Sequence, residues 1–255
     1  LTFIQSISSG TDQFGREALS ARGIKLASAA GVNAQAVAEH ALSLMLALSR
    51  KIAEARDNQK ARHWRGMIGD LSRREDELCG KTVLIVGMGR IGGKIAALTK
   101  AFGMRVIGIR QDPAAGLNGA EEIGGMGDLA RMVQAADYVV LSCALTPQTE
   151  GLVSKAVLDQ MKPSAYLVNV ARGRVVDEAA LVEALQSARL AGAALDVVVE
   201  EPMPAHAALW DLPTVLITPH SAGETRSYED NVLDVMMDNL DRLWRGDSAL
   251  RNKIL

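Results

Sequence analysis

Three side chains with complementary chemistry follow short apolar runs in the second half of the sequence. They are Arg172, Glu201 and His220. An arginine guanidinium can grip a carboxylate and a carbonyl oxygen through its planar fork, and so orient and polarise a 2-oxo acid. An imidazole can give and take a proton near neutral pH, and a carboxylate can orient it. Together these residue types predict reduction of a 2-oxo acid, with Glu201 orienting His220 as the acid and base.

Taken singly, each of these residues has an ordinary explanation. An arginine after a strand is often a surface charge, and a Thr-Pro-His turn is often a plain loop. The prediction therefore depends on all three side chains meeting at one place. The other histidines, His40, His63 and His206, have no neighbours in the sequence that suggest a chemical role.

A glycine-rich turn follows the apolar run 82–86 at once and opens a helical pattern. Its residues are Gly87, Met88, Gly89, Arg90, Ile91 and Gly92. The first glycine of such a turn permits a tight bend, the second lets the backbone approach a pyrophosphate, and the third lets helix and strand pack closely. Amides at the helix N-terminus would hold the phosphates. This context predicts a dinucleotide site, against the alternative of a glycine-rich turn without a ligand.

The residues after the second apolar run of this region indicate which dinucleotide fits better. Sites for NAD usually carry an acidic residue there, which accepts hydrogen bonds from the ribose hydroxyls. This sequence has Arg110, whose guanidinium can pair with a 2′-phosphate, so the sequence favours NADP. Asp112 keeps NAD open, and a solvated arginine without ligand contact is a third interpretation.

Six short runs rich in β-branched residues alternate with helical patterns. They cover residues 82–86, 105–109, 138–142, 166–170, 193–198 and 215–218. Strands that alternate with helices form a parallel sheet, and right-handed crossovers wind its halves into a doubly wound, Rossmann-type α/β fold. Ligands bind such a sheet in a crevice at the carboxyl ends of its strands. The glycine-rich turn, Arg172, Glu201 and His220 are all expected at that edge.

Two amphipathic helices are expected on either side of these runs. The first spans residues 33–52 with Asn33 as its N-cap, and the second carries its apolar positions over residues 232–244. The polar residues 50–77 are typical of a solvated helix followed by a loop.

The chain is long enough for two domains. Residues 33–221 are assigned to a dinucleotide-binding domain. Residues 1–32 combine an apolar start, a polar turn, a short helix and a short strand, and are assigned with residues 222–255 to a second domain.

The composition argues against several classes of protein. The 255 residues carry a formal net charge of −2, and no long basic run offers a surface for nucleic acid. No apolar stretch approaches the roughly 20 residues of a membrane span. Cys79 and Cys143 lie in different predicted elements, which suits reduced thiols, and neither has metal-ligand spacing to another cysteine or a histidine. We expect a cytoplasmic protein with no metal site, no nucleic-acid partner and no membrane segment.

A series of motifs runs along the whole chain, namely Ser9-Gly10-Thr11-Asp12, Gly31-Val32-Asn33, Val37-Ala38-Glu39-His40, the glycine-rich turn, Leu145-Thr146-Pro147-Gln148-Thr149, Asn169-Val170-Ala171-Arg172-Gly173, Asp177-Glu178-Ala179-Ala180-Leu181, Leu195-Asp196-Val197, Glu201-Pro202, Thr218-Pro219-His220-Ser221-Ala222 and Leu250-Arg251-Asn252. Their order resembles the D-2-hydroxyacid dehydrogenase family, and in particular its glyoxylate/hydroxypyruvate reductases. The resemblance implies an NAD(P)-dependent oxidoreductase that acts on a small 2-oxo or D-2-hydroxy acid, with glyoxylate or hydroxypyruvate favoured.

The resemblance also implies roles for individual residues. Arg172, Glu201 and His220 correspond to the catalytic trio of the family. Asp196 would lie near the nicotinamide carboxamide, and Thr149 near the cofactor phosphates or ribose.

Further contacts follow from the same resemblance. Val170 and Ala171 would contact the cofactor, and the turn at Ser9, Gly10 and Thr11 would offer backbone amides to the substrate carboxylate. The family also implies a homodimer built through the nucleotide domains, with the first long helix at the interface.

The resemblance leaves two other functions open. Family members normally begin with further residues that supply the first strands of a flavodoxin-like substrate domain, so residues 1–32 and 222–255 are expected to form only part of it. One alternative is a dinucleotide-sensing protein similar to the corepressor branch of the family. The other is an inactive, truncated paralogue.

Overall fold

The computed structural model describes residues 1–11, 13–247 and 249–255. Asp12, a member of the predicted polar turn, lies outside the described residues. The strands are β1 (Phe3–Gln5), β2 (Lys25–Ala27), β3 (Thr82–Val86), β4 (Arg105–Ile109), β5 (Glu122–Gly124), β6 (Tyr138–Leu141), β7 (Tyr166–Asn169), β8 (Gly192–Leu195) and β9 (Val215–Ile217). The helices are α1 (Arg16–Ala21), α2 (Ala34–Ser49), α3 (Ile52–Lys60), α4 (Arg90–Ala101), α5 (Leu129–Met132), α6 (Lys155–Leu158), α7 (Glu178–Gln186) and α8 (Tyr228–Trp244).

The larger of two compact units, Ala38–Ala222, contains a parallel sheet of seven strands in the order β5-β4-β3-β6-β7-β8-β9. The chain runs outward from β3 to β5 and then returns to β6 on the other side of β3. This reversal makes the sheet doubly wound, so the fold class predicted from the sequence is confirmed. In such a sheet the carboxyl ends of the strands on either side of the reversal form the ligand crevice.

All six predicted strands are present, and a seventh was missed. Strand β5 has only three residues, lies at the sheet edge and pairs with β4 alone, so it has no long apolar pattern. The prediction also placed Asp196 inside a strand that was drawn too long. Strand β8 ends at Leu195, and Asp196 is the first residue beyond it.

The central strands β3 and β6 consist almost entirely of continuous apolar residues, which places them in the middle of the sheet. In β3 the four residues after Thr82 are completely buried, and no residue of β6 is more than 2% exposed. A strand without alternation between polar and apolar residues requires cover on both faces, as in the middle of a parallel α/β sheet. Burial of these runs therefore fixes the sheet that carries the candidate site.

The first long helix is shorter than predicted. Helix α2 ends at Ser49, Lys51 adopts a left-handed conformation with φ 50°, and Ile52 begins α3. Asn33 directly precedes α2, and its carbonyl accepts the Val37 amide at 3.0 Å. The predicted side-chain cap is wrong, because Oδ1 of Asn33 is buried without a hydrogen-bond partner among the described residues. The expected solvated helix followed by a loop is confirmed by α3 and the irregular residues after it.

The smaller unit comprises Leu1–Val37 and Gly223–Leu255. Strands β1 and β2 pair in parallel, and the fully buried Asn239 of α8 donates to Gln5 at 2.9 Å and accepts the Arg251 amide at 2.7 Å. This amide ties the last helix to the first strand. The opposite side of α8 exposes apolar residues at helical spacing, namely Leu233, Met237, Leu240 and Trp244.

No helix among the described residues is both long enough and apolar enough to cross a membrane. No three His, Cys, Asp or Glu side chains in the same part of the chain are grouped as metal ligands.

Candidate active site

Arg172 stands on a loop that the last residue of β7 holds in shape. The buried Asn169 side chain donates to the Arg172 carbonyl at 3.0 Å and accepts the Ala171 amide at 3.0 Å. The half-buried Arg172 guanidinium donates to the Ala171 carbonyl at 2.7 Å. Because Asn169 satisfies backbone groups of two successive loop residues, the position of Arg172 is set by the strand and not by the loop alone.

The loops after β7 and β8 are packed directly against each other. A Cβ atom built on Gly173 would lie 2.0 Å from the carbonyl carbon and oxygen of Val198. Only glycine permits this approach, since any side chain would force the two backbones apart. The glycine thereby brings the Arg172 loop against the loop that leads to Glu201.

Glu201 connects that second loop to His220, which follows β9. One Glu201 oxygen accepts the Val198 amide at 3.0 Å, and the other lies 2.7 Å from Nδ1 of His220. Both side chains keep solvent contact, with 36% and 47% of their surface exposed. When Nδ1 donates to the carboxylate, Nε2 is the atom left for proton exchange. The predicted pairing of His220 with Glu201 is therefore present in the structure.

Asp196 is buried, with 2% of its surface exposed, and its carboxylate is densely hydrogen-bonded. Oδ1 accepts the Thr218 hydroxyl at 2.6 Å and the Ser221 amide at 3.0 Å, and Oδ2 accepts the Ala222 amide at 3.1 Å. Nε2 of His40 lies 3.0 Å from the Thr218 hydroxyl and 3.4 Å from Oδ1. Burial raises the pKa of Asp196, but hydrogen bonds from His40, Thr218 and the two amides outweigh it and hold the pKa below its usual value.

His40 is therefore a residue that the sequence analysis missed. No neighbour in the sequence suggests a chemical role for His40, yet helix α2 directs it to the carboxyl edge of the sheet, next to Thr218. The two residues are 178 positions apart. No local spacing could have shown this pairing, because only the packing of α2 on the sheet creates it.

The glycine-rich turn has the close contacts that its sequence predicts. Gly87 has φ 105°, and a Cβ built on it would lie 2.5 Å from the Cys143 amide nitrogen. A Cβ on Gly92 would lie 2.2 Å from the Gly87 carbonyl oxygen. Gly89 is exposed and would meet nothing within 4 Å, so its backbone is open to a ligand. Arg90 and Ile91 follow as the first two residues of α4, where amide groups point outward.

Asn118 is a second residue that the sequence did not indicate. Its amide donates to the Met88 carbonyl at 3.1 Å and to the Gly89 carbonyl at 2.9 Å, across about 30 positions of sequence. The backbone of Asn118 is left-handed, with φ 45°. Asparagine tolerates that conformation better than most residues, which is the one local signal that could have suggested it.

Arg110 follows β4, as predicted, and contacts the loop after it. Its guanidinium donates to the carbonyls of Ala115 at 3.2 Å and Gly116 at 2.8 Å. Asp112 caps the short turn in between by accepting the Ala114 amide at 3.0 Å. Arg110 is thus a half-buried cation in a fixed position at the crevice edge of the sheet.

Other predicted cofactor contacts lie at the same edge. The Thr149 hydroxyl donates to the Ala144 carbonyl at 2.7 Å and accepts the Thr146 amide at 2.8 Å, so it closes its own turn. Val170 and Ala171 are buried directly after β7. The contacts of these three residues with a cofactor stay predictions.

The predicted substrate turn belongs to the smaller unit. Thr11 is buried and accepts a hydrogen bond from Arg16 at 2.8 Å. Ser9 donates to the Ala29 carbonyl at 3.5 Å, and the Gly10 carbonyl accepts the Ser8 hydroxyl at 2.7 Å. Their contact with a substrate carboxylate also stays a prediction.

Comparison with known proteins extends these observations. Residues 42–222 match the family model described as the NAD binding domain of D-isomer specific 2-hydroxyacid dehydrogenases. The chain is 36% identical over 239 residues to glyoxylate/hydroxypyruvate reductase B of Pectobacterium carotovorum, covering 92% of this chain and 73% of that protein. It is also 36% identical over 240 residues to D-3-phosphoglycerate dehydrogenase of Archaeoglobus fulgidus, covering 93% of this chain. The chain spans only 44% of the length of this D-3-phosphoglycerate dehydrogenase.

Solved structures show the same fold. The chain is similar to an NADPH-dependent glyoxylate/hydroxypyruvate reductase from Sinorhizobium meliloti, in complex with NADP and malonate, with a TM-score of 0.85 and 31% identity. That match covers 100% of this chain and 77% of the other. A protein from Thermus thermophilus matches with a TM-score of 0.88 and 35% identity, covering 100% of this chain and 79% of the other.

Proposed function

This chain belongs to the D-isomer specific 2-hydroxyacid dehydrogenase family, and we propose on that basis that it reduces a small 2-oxo acid to the D-2-hydroxy acid. The observation that carries the proposal is the pair of His220 and Glu201, 2.7 Å apart at the carboxyl edge of the sheet. The pair of His220 and Glu201 and the loop that carries Arg172 thus lie at the same edge of the sheet as the glycine-rich turn. In a doubly wound sheet the ligand crevice is at this edge.

The residues of the glycine-rich turn fit a dinucleotide. A side chain at Gly92 would collide with the Gly87 carbonyl, whereas Gly89 is open and leads into the N-terminus of a twelve-residue helix. Such a helix end binds phosphates through its amides and its positive dipole. The nicotinamide cofactor, when bound, supplies the hydride.

The chain's own residues supply binding and proton transfer. Arg172 holds the carboxylate and the carbonyl oxygen of the 2-oxo acid, and its positive charge draws electron density from the keto carbon. His220 donates the proton from Nε2 to the carbonyl oxygen, and Glu201 keeps the ring oriented through Nδ1. In the oxidation direction His220 takes the proton back from the hydroxyl group.

Cofactor and substrate preferences are finer parts of the proposal. Arg110, directly after β4, favours NADP over NAD, because it stands where NAD sites usually carry an acidic residue that accepts hydrogen bonds from the ribose hydroxyls; Asp112 leaves NAD as the alternative. Glyoxylate and hydroxypyruvate are the favoured substrates, in line with the reductases to which the chain is similar. The smaller unit is proposed to be part of the substrate domain, with the turn at residues 9–11 facing the substrate carboxylate.

We also propose a homodimer built through the larger unit, with the first long helix at the interface and the segment after α3 as an additional part of it. After α3 the chain exposes Trp64 by 97% and Met67 by 92%, and apolar surface of this kind is typical of a protein interface. In light scattering after gel filtration, the joint substitution of Trp64 and Met67 by Ser should halve the particle mass. The control Leu117→Ser, on another exposed apolar residue of the larger unit, should leave the mass unchanged. A cytoplasmic location is proposed from the two separate, unlinked cysteines.

The test of the function is oxidation of NADPH and NADH followed at 340 nm, with glyoxylate, hydroxypyruvate and pyruvate. Turnover with a 2-oxo acid supports the reductase and ranks the two cofactors. Cofactor binding without turnover, by this chain and by any longer natural form, would contradict the proposal and favour a dinucleotide sensor. Absence of cofactor binding would favour an inactive paralogue.

A further inference from the structure

The turn that carries His220 is wrapped around a single buried residue. Three successive amides point at Asp196: the His220 amide donates to its carbonyl at 2.7 Å, and the Ser221 and Ala222 amides donate to its two carboxylate oxygens at 3.0 and 3.1 Å. Successive amides in such a turn form a concave nest that binds an anion. Here the Ser221 and Ala222 amides bind the Asp196 carboxylate, whereas the His220 amide binds the Asp196 backbone carbonyl and also the Thr218 carbonyl at 3.0 Å.

His220 needs such support because its backbone is left-handed, with φ 56°. A residue with a Cβ atom disfavours this region, and histidine keeps it only where surrounding contacts impose it. The direction of the imidazole depends on that backbone conformation. Contacts that hold the turn therefore also aim Nε2.

The other side of the carboxylate is held by Thr218 and His40. The Thr218 hydroxyl donates its one hydrogen to Oδ1 of Asp196 at 2.6 Å. Its oxygen must therefore accept the hydrogen bond from Nε2 of His40 at 3.0 Å. His40 thus donates through Nε2, and the same atom lies 3.4 Å from Oδ1. A buried carboxylate is stable only when hydrogen bonds replace its lost hydration, and these two side chains supply them along with the amides.

We propose that Asp196 and His40 are positioning residues that hold the His220 turn in its left-handed conformation. Asp196 acts directly on the turn, and His40 acts through Asp196 and Thr218. The importance of this positioning for catalysis rests on the proposed function, whereas the positioning itself is a property of the folded chain. Helix α2 thereby contributes to the geometry of the acid–base residue without contacting substrate.

Amide hydrogen exchange tests the positioning without any cofactor or substrate. In the full chain, exchange at His220, Ser221 and Ala222 is followed by nuclear magnetic resonance. Asp196→Asn places an amide donor opposite one of the turn amides, and exchange at Ser221 or Ala222 should rise by about tenfold or more. His40→Phe keeps a planar ring but removes the donor, and exchange should rise by about threefold to tenfold. His40→Gln retains a hydrogen-bond donor, so its amide exchange rates should stay closer to those of the original protein.

His63→Gln is the matched control, because His63 is exposed and makes only a backbone contact in the described structure. Exchange within twofold of the original protein in both Asp196→Asn and His40→Phe would overturn the inference. If Asp196→Asn does not fold, the comparison of His40→Phe with His40→Gln decides alone.

Kinetics then separate this inference from the proposed function. His40→Phe should lower kcat by about threefold to tenfold with cofactor affinity within twofold, and His40→Gln should recover part of the loss. If His220→Asn leaves reduction of 2-oxo acids unchanged, the proposed function fails while the exchange result still stands. If exchange is unchanged but His220→Asn is inactive, the positioning inference fails and the function stands.

Discussion

Nδ1 of His220 lies 2.7 Å from Oε2 of Glu201, and the second Glu201 oxygen accepts the Val198 amide at 3.0 Å. The carboxylate therefore joins the loop after β8 to the loop after β9, and it leaves Nε2 of the ring as the atom for proton transfer. One bond fixes the Glu201 carboxylate to its own loop and the other fixes the ring to the carboxylate. The orientation of His220 should therefore be sensitive to substitution of Glu201.

Glu201→Gln should lower kcat for 2-oxo acid reduction by about 10- to 10²-fold. The amide can keep one hydrogen bond but cannot stabilise an imidazolium, so part of the acid–base contribution is lost. Steady-state kinetics at saturating cofactor measure the effect. Glu200→Gln changes the same charge on the adjacent exposed residue and is the control. Equal kcat values for the two variants would remove Glu201 from the mechanism.

Gly92→Ala and Gly89→Ala should separate folding from cofactor binding. A Cβ at position 92 meets the Gly87 carbonyl oxygen at 2.2 Å, so the free energy of unfolding should fall by about 1–3 kcal/mol or more. A Cβ at position 89 meets nothing within 4 Å, so Gly89→Ala should keep its stability and lose cofactor affinity. Urea unfolding and fluorescence titration with NADPH measure the two quantities. A stable Gly92→Ala variant with normal affinity would contradict this account of the turn.

Asn118→Gly should weaken cofactor binding by about threefold to tenfold, with little change in overall stability. Glycine accepts the left-handed backbone at position 118 but removes the donor to the Met88 and Gly89 carbonyls, so the turn loses two hydrogen bonds. Calorimetric titration with NADPH gives the affinity. Gln111→Gly, on an exposed residue before the same loop, is the control. An unchanged affinity in Asn118→Gly would show that the turn holds its shape without this amide.

Arg110→Asp should shift the ratio of kcat/KM values from NADPH towards NADH. The substitution removes a cation that can pair with a 2′-phosphate and introduces an acceptor for ribose hydroxyls. Arg105→Asp changes the same charge at the other end of β4 and should leave the ratio unchanged. If both variants show the ratio of the original protein, Arg110 does not read the 2′-phosphate.

The two cysteines should differ strongly in reactivity. Cys79 is exposed, whereas burial raises the pKa of the Cys143 thiol to about 11. At pH 8 only about one in 10³ of the Cys143 thiols is ionised, and the thiolate is the nucleophile. Iodoacetamide should therefore alkylate Cys79 first, as seen by mass spectrometry, and Cys79→Ser should react very slowly. Rapid alkylation of Cys143 in the folded Cys79→Ser variant would contradict the raised pKa of this half-buried thiol.

The sequence was sufficient for those features that depend on short-range patterns. Continuous apolar runs identified β3 and β6, and the glycine spacing after β3 identified the turn at residues 87–92. These features follow from local rules, because burial on both faces needs an unbroken apolar strand and a tight turn needs glycine.

The features that escaped prediction depend on contacts between distant parts of the chain. His40 meets Thr218 across 178 positions, and Asn118 meets the glycine-rich turn across about 30. Strand β5 escaped because three residues at a sheet edge carry no periodic signal. The break at Lys51 was hidden because apolar residues continue at helical spacing through Ile52.

The most direct test of the central claim compares His220→Asn with the original protein for reduction of glyoxylate by NADPH, with cofactor affinity measured on the same samples. We expect kcat to fall by about 10²- to 10⁴-fold while cofactor affinity changes little, because His220 supplies the proton and does not bind the dinucleotide. Equal kcat values in the two proteins would contradict the assignment of His220 as the acid and base.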